Sequence, residues 1–229
     1  MVLDSSLSVA NIRWLIIIAS ILGAAIIIFL CVFPFIKKKH EVKHFKNAYY
    51  KKIRKIAEIK DYYLINNLIL RNGDEVICRI DHVLFGEKYI YVIKDRYYRG
   101  GISGHGDDKV WIFFNKKGEK VEIDNPMMIN MKRLNKLSTM TQIDESFFIS
   151  IVIINDDCVV KDIDKFNTDN SFIVSKKRLP QLIKAIESRD VKKMNESQLS
   201  YAVQDISKLY GSLSVDESSQ EKWLRIYKI

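Results

Sequence analysis

The sequence predicts a mixed α/β domain behind a single transmembrane helix near the N-terminus. An uncharged apolar run begins at residue 14, β-branched segments separated by turn residues follow it, and an apolar strand lies later between helical stretches. With 48% hydrophobic residues, 9 Gly and 3 Pro in 229 residues, the composition excludes collagen-like, low-complexity and disordered chains.

Residues 14–36 form the predicted membrane span. These 23 residues carry no charge, and at about 1.5 Å per residue they cross a hydrocarbon core about 30 Å thick. A cleaved signal peptide has a shorter apolar region, of about 7–15 residues. The span is followed at once by three lysines, Lys37, Lys38 and Lys39. The positive-inside rule therefore places residues 1–13 outside and the following domain in the cytoplasm, as in a single-pass protein of the cell membrane.

The positive charge of the chain is concentrated after this span. The formal net charge is +9, and residues 37–61 alone hold ten Lys and Arg against three acidic residues. Residues 37–60 are predicted to form a basic amphipathic helix whose apolar face packs on a sheet. Its apolar residues recur at helical spacing: Phe45, Ala48, Tyr49, Ile53, Ile56 and Ile59. Anionic lipid, contacted through Lys37, Lys38 and Lys39, suits this charge at least as well as a phosphate backbone.

Strands and turns alternate through the middle of the chain. Turn residues such as Asn72-Gly73 and Gly118 separate segments rich in β-branched and aromatic residues, and the first three segments are predicted to form an antiparallel meander. Asn125-Pro126 opens a helix, because proline is tolerated at its first positions. The predicted strands are 62–70, 76–85, 88–96, 110–114, 120–123, 147–154 and 171–174, and a further helix covers 176–189.

A helical tail over residues 190–229 completes the predicted organisation. Asn195 and Gln198 have the spacing of a capping box. An apolar stripe follows, predicted to pack on the domain or on a protein partner, and comprises Leu199, Ala202, Ile206 and Leu209. Residues 221–229 are predicted to form a short terminal helix. The three cysteines lie far apart in apolar runs, so we predict reduced, buried side chains and no disulfide framework.

A string of landmarks between residues 44 and 187 resembles the nuclease-related domain (NERD) family. They are Ile80-Asp81-His82, Tyr91-Val92-Ile93, the glycine-rich segment from Gly100 to Gly104, Trp111, and Asn125-Pro126. The resemblance implies a restriction-endonuclease-like core, in which a mixed central sheet is flanked by helices. It also implies that residues 44–187 form the domain.

The resemblance implies a catalytic set that this sequence lacks in part. Members carry an Asp in the first landmark strand, Glu and Lys two residues apart in the next strand, and a Glu in the first helix. Here Asp81 matches, whereas Lys94 stands at the Glu position and Arg96 at the Lys position, and residues 47–51 contain no acid. Mg²⁺ prefers several oxygen ligands. We therefore predict that Lys94 pairs with Asp81 without metal, and that the domain is an inactive binding or scaffolding module needing no cofactor.

Two alternatives stay open. A membrane-tethered, Mg²⁺-dependent nuclease requires a relocated acid beside Asp81, such as Glu58 or Asp95. A zinc peptidase is suggested by the H-E-x-x-H pattern of His40 to His44, in which two histidines one helical turn apart bind zinc. Lys43 lies inside that pattern, and the remaining histidines are His82 and His105 in unrelated segments.

The segment after the third predicted strand is the candidate nucleic-acid contact. It carries two tyrosines able to stack on bases and two arginines able to contact phosphate: Arg96, Tyr97, Tyr98 and Arg99. A covering role at the sheet edge is the alternative interpretation.

Overall fold

The computed structural model describes the backbone of residues 5–160 and 167–211, and side chains within 13–33, 44–160 and 167–209. Two compact units are distinguished, Met1–Phe45 and Lys46–Ile229. The elements in chain order are α1 (Ser5–Lys60), β1 (Tyr63–Asn72), β2 (Glu75–Phe85), β3 (Ile90–Asp95), β4 (Gly100–Ser103), β5 (Val110–Asn115), β6 (Lys120–Asp124), α2 (Pro126–Thr141), a 3₁₀ turn (Glu145–Phe147), β7 (Phe148–Ile154), β8 (Val159–Val160), β9 (Ser171–Ser175), α3 (Leu179–Glu187) and α4 (Glu196–Gly211).

The first unit is helical and contains the apolar run. Residues Arg13–Phe33 are long and apolar enough to cross a membrane, and their described side chains are almost all exposed. A signal sequence near the N-terminus meets the same criteria of length and apolar composition. The backbone of His44 is not helical (φ −120°, ψ 17°), so α1 consists of two helical segments that meet at this residue.

A five-stranded mixed sheet organises the second unit, in the order β1-β2-β3-β7-β9. The predicted meander is present, because β1, β2 and β3 pair antiparallel. β3 then pairs parallel with β7, and β7 with β9. A parallel connection needs a crossover, and the segment between β3 and β7 contains α2, which packs on both strands. All seven residues of β7 are buried, as expected for a continuous apolar strand covered on both faces.

A smaller four-stranded sheet, in the order β6-β5-β4-β8, was not predicted as a separate layer. Several family landmarks build it. A Cβ atom at Gly104 would lie 2.3 Å from the ring of Trp111, so only glycine fits there. The Trp111 indole donates to the carbonyl of His105 (2.7 Å), and the Asn125 amide donates to the carbonyls of Gly106 and Asp108 (2.8 Å each). These landmarks therefore hold the segment between β4 and β5 against the start of α2.

The apolar stripe of α4 packs on its own domain. Ala202 and Ile206 are buried in the core cluster formed with β1, β2 and α2, and Leu199 and Leu209 pack against that cluster. Asn195 and Gln198 form the predicted capping box, with reciprocal hydrogen bonds of 3.0 and 2.8 Å. Residues 221–229 lie outside the described residues.

Two predictions about burial were wrong in detail. Cys31 is exposed and Cys78 and Cys158 are half-buried, because an apolar neighbourhood in sequence does not fix which face a side chain occupies. In the basic helix, Tyr49, Ile53, Ile56 and Ala57 are buried as a stripe, whereas Ile59 is 69% exposed. The buried stripe ends before Ile59, near the end of α1 at Lys60.

Candidate functional site

Asp81 and Lys94 form a buried ion pair across β2 and β3. The antiparallel register sets His82 opposite Ile93, which brings the residues one step further, Asp81 and Lys94, opposite each other. Lys94 Nζ lies 2.7 Å from Asp81 Oδ2, and both side chains are 11% exposed. The same Asp81 oxygen accepts the backbone N–H of Asp95 at 3.1 Å. The carboxylate oxygen is thus held by two donors of the neighbouring strand.

Burial and charge act against each other in this pair. Burial favours the neutral form of Asp81, but the hydrogen bond and the charge of Lys94 outweigh it and hold the pKa of Asp81 below its ordinary value. Burial lowers the pKa of Lys94, Asp81 opposes that shift, and two further cations, Arg133 and Arg96, add to it. Asp81 is therefore a carboxylate in a positively charged environment.

The charge of Arg133 on α2 also acts on this pair, and the sequence did not indicate it. It lies one turn after Asn130, whose amide donates to the carbonyl of Val92 (2.8 Å) on β3. Burial lowers the pKa of the Arg133 guanidinium, Asp81 counteracts this effect, and Arg96 adds to it. Its Nη1 atom is buried with no hydrogen-bond partner among the described residues. The one sequence feature that could have pointed to Arg133 is its position directly before Leu134, which lies on the apolar stripe of α2.

The opposite face of the same strands carries a second polar group, built on His82. Its Nδ1 lies 2.6 Å from Asn66 Oδ1 and its Nε2 lies 3.0 Å from Asp95 Oδ2. Asn66, His82 and Asp95 are 9%, 5% and 3% exposed. Since successive side chains of a strand point to opposite faces, Asp95 lies on the face away from Asp81.

The last turns of α1 contribute two tyrosines to the surroundings of β3 and of His82. The Tyr49 hydroxyl donates to the carbonyl of Arg96 (3.0 Å), and the Tyr50 ring stacks on His82 with 6.4 Å between ring centroids. Burial raises the pKa of Tyr49, as it does for a phenol enclosed by the fold. α1 thereby fixes the backbone at Arg96, directly after β3.

The side chains of Glu58 and Asp95, proposed as relocated metal ligands, bond to other residues and not to Asp81. Glu58 accepts from Arg54 on the same helix (2.6 Å) with both side chains 40% exposed, and Asp95 is bonded to His82. Within the part of the chain that the structure describes, no three His, Cys, Asp or Glu side chains lie together as a metal site requires. Of the H-E-x-x-H pattern, the side chains of residues 40–43 lie outside those that the structure describes, and His44 is the non-helical residue of α1.

The segment predicted to contact nucleic acid is partly enclosed. Tyr98 packs on Phe113 with 5.9 Å between ring centroids, and its backbone N–H and carbonyl bond to the Asn155 side chain at 2.7 and 3.0 Å. Burial raises the pKa of Tyr98 to about 12. Arg99 is exposed and Arg96 is half-buried. The charge of Arg96 acts on Lys94, whereas Tyr98 packs in the core beneath the smaller sheet.

The fold and the site together define a class of α/β protein: a mixed sheet with flanking helices, consistent with a nuclease-like core. The family model of the nuclease-related domain matches residues 40–155, half of the chain. The chain therefore belongs to the nuclease-related domain (NERD) family. No curated protein and no solved structure matches it.

Proposed function

We propose that this protein is a membrane-anchored member of the NERD family whose nuclease site is inactive and whose cytoplasmic domain serves as a binding module. The observation that carries the proposal is the ion pair between Lys94 Nζ and Asp81 Oδ2, 2.7 Å long. The ammonium group of Lys94 thus already engages one of the two oxygens that Asp81 could offer to a divalent cation.

Electrostatics favour this assignment. Mg²⁺ binds oxygen ligands and takes one or two carboxylates in most of its protein sites. Asp81 offers a single carboxylate, and its neighbours Lys94, Arg96 and Arg133 repel a divalent cation. Recruiting a metal would require the Lys94 bond to break and leave the ammonium buried without its counter-ion, which costs several kcal/mol.

Three partners are proposed for the module. Anionic lipid at the inner surface of the membrane is contacted by Lys37, Lys38 and Lys39. Nucleic acid is contacted through Arg96, Arg99 and the lysines of residues 37–60, and a protein partner is contacted through the C-terminal helices. The buried stripe of α4 is used within the domain, so a protein partner would meet the outer face of α4, where Tyr201 is 67% exposed.

A nuclease assay tests the proposal. The full chain in detergent is incubated with DNA and with RNA in Mg²⁺ or Mn²⁺, beside Asp81→Ala. We expect no cleavage above the background of the variant. Metal-dependent cleavage that disappears in Asp81→Ala would establish the working nuclease instead.

Topology has its own test. In sealed inside-out vesicles of the cell membrane, protease should degrade the domain, whereas right-side-out vesicles should protect it. The reverse pattern would contradict the cytoplasmic orientation, and release of the domain from washed membranes would contradict the anchor.

A further inference from the structure

We propose that a surface groove between the last turns of α1 and α3 binds an amphipathic anion with an aliphatic chain and a carboxylate head, the chemistry of a fatty acid. The groove lies within the second unit, and neither Asp81 nor Lys94 lines it. This site therefore goes beyond the proposed function and does not depend on it.

The groove is built from one face of each helix. Both helices contribute residues three and four positions apart, which are neighbours on a helix surface. These residues are Ile56, Ile59 and Lys60 of α1 and Pro180, Ile183 and Lys184 of α3. The groove has a volume of about 360 Å³, within the range of about 300–1,000 Å³ that small-molecule sites occupy. Its size therefore suits a small ligand.

The apolar lining of the groove is mainly aliphatic. Ile56 and Ile183 are 8% and 2% exposed, and Tyr62 beside them is 5% exposed. Ile59 is 69% exposed, more than any other large apolar side chain in the described part of the chain. An aliphatic chain lying along these residues would remove apolar surface from water, which favours binding.

Both acidic side chains of the lining are already engaged. Glu187 Oε1 accepts the hydroxyl of Tyr91 at 2.6 Å, and Oε2 accepts the backbone N–H of Lys88 at 3.1 Å. Glu87 is paired with Lys193. The two carboxylates are thus held by protein donors, so they leave the other cations of the groove without a counter-ion.

Lys60 and Lys184 are those cations. Neither has an acidic partner within 4 Å among the described residues, and both side chains are exposed, so a ligand can reach them. Four lysines and two glutamates line the groove, which gives the lining a formal charge of +2. An ammonium group offers three donors and no acceptor, and a carboxylate is the head group that accepts such donors in charge-assisted hydrogen bonds.

A fluorinated amphiphile tests the site. The probe is octanoate with a trifluoromethyl end, and its binding to the full chain in dodecyl maltoside is followed by fluorine NMR line broadening, with protein-free micelles as background. The matched neutral probe is the alcohol with the same fluorinated chain. Because the micelles are common to all samples, differences between variants report on the protein.

Two pairs of substitutions test the head group. Lys60→Gln with Lys184→Gln removes both ammonium groups, and Lys55→Gln with Lys177→Gln removes the same charge from exposed positions outside the groove. We expect the first pair to weaken octanoate binding about fivefold, as for the loss of two exposed charge pairs. The control pair should leave octanoate binding unchanged, and the alcohol should bind all three proteins alike.

One substitution tests the chain contact. Ile59→Gln should weaken the binding of both probes about fourfold, as for the loss of one buried CH₂ group. Val191→Gln, at a position 47% exposed and outside the groove, should weaken neither. All the substituted side chains are exposed, so a Tm close to that of the wild type checks that each variant folds.

Three results would overturn the site. The first is a wild type that binds octanoate no better than protein-free micelles do. The second is equal weakening by the two pairs of lysine variants, because Lys60 and Lys184 would then serve only the ends of their helices, where a cation is favourable. The third is a loss confined to Ile59→Gln and equal for both probes, which would indicate an uncharged apolar occupant, such as a peptide or a second copy of the chain.

Discussion

Breaking the ion pair of Asp81 and Lys94 from either side should cost more than removing both partners. At 2.7 Å the attraction is about 6 kcal/mol at an effective dielectric near 20. Desolvation of both ions offsets most of it, so the pair contributes little net stability, whereas an orphaned buried charge costs about 3–5 kcal/mol. Lys94→Met leaves Asp81 with the Asp95 N–H, whereas Asp81→Leu leaves Lys94 without its counter-ion and still repelled by the charges of Arg133 and Arg96. The Asp81 variant should therefore lie at the upper end of that range.

The decisive comparison is a double-mutant cycle measured as the free energy of unfolding of the full chain in detergent. Chemical denaturation is followed through tryptophan fluorescence, to which the buried Trp111 contributes beside Trp14 and Trp223. The double variant Asp81→Leu with Lys94→Met should be more stable than either single variant, which corresponds to a coupling above about 3 kcal/mol.

An exposed ion pair of similar length supplies the control. Lys208 Nζ and Asp205 Oδ1 are 2.9 Å apart on α4, with side chains 67% and 41% exposed. Lys208→Met should change the free energy of unfolding by less than about 1 kcal/mol. If the losses of Asp81→Leu and Lys94→Met simply add in the double variant, the two groups are not energetically paired and the explanation of the site is refuted.

Two further predictions concern the pH dependence of stability at Asp81 and the N-terminal cap of α2. The pKa of Asp81 is lowered in the folded state, so its contribution to stability is complete above its unfolded pKa of about 3.9 and is lost as the pH falls through the lower folded value. Between about pH 4 and about pH 2, the range in which a carboxyl group titrates, the free energy of unfolding should therefore drop more steeply in the wild type than in Asp81→Asn. Parallel curves of the two proteins would contradict this assignment. Asn125→Ala should cost at least about 1–2 kcal/mol, because Asn125 caps α2 through Met127 N (2.9 Å) and also bonds two hairpin carbonyls; Asn195→Ala, a cap at an exposed helix start, is the matched comparison and should cost less.

Local patterns fixed most of the elements. Turn residues at Gly73 and Gly118 adopt the positive φ angles that a turn requires (57° and 82°), and the strands on either side have bounds close to those predicted. The helix opened by Asn125-Pro126 begins at Pro126, because the side chain of Asn125 accepts the first free N–H groups. These features depend on residues a few positions apart, so they are visible in sequence.

The candidate site was predictable only in part. Asp81 and Lys94 lie in neighbouring strands of one meander, and their pairing follows from a short turn and the alternation of side chains. The group of Asn66, His82 and Asp95 depends on the register of β1 with β2, which sets Asn66 opposite His82. A bulge in β1 and the left-handed backbone of Asn67 (φ 54°) shift that strand by amounts that its sequence does not reveal.

The sequence by itself determined the apolar run and the order of the helices and of the strands of the larger sheet, since each depends on residues close together in the chain. Only the tertiary structure decided that β7 pairs parallel with β3 and that α2 brings the charge of Arg133 close enough to act on Asp81. Such contacts join residues about 40–60 positions apart along the sequence, and packing of buried faces, which depends on the whole chain, selects them.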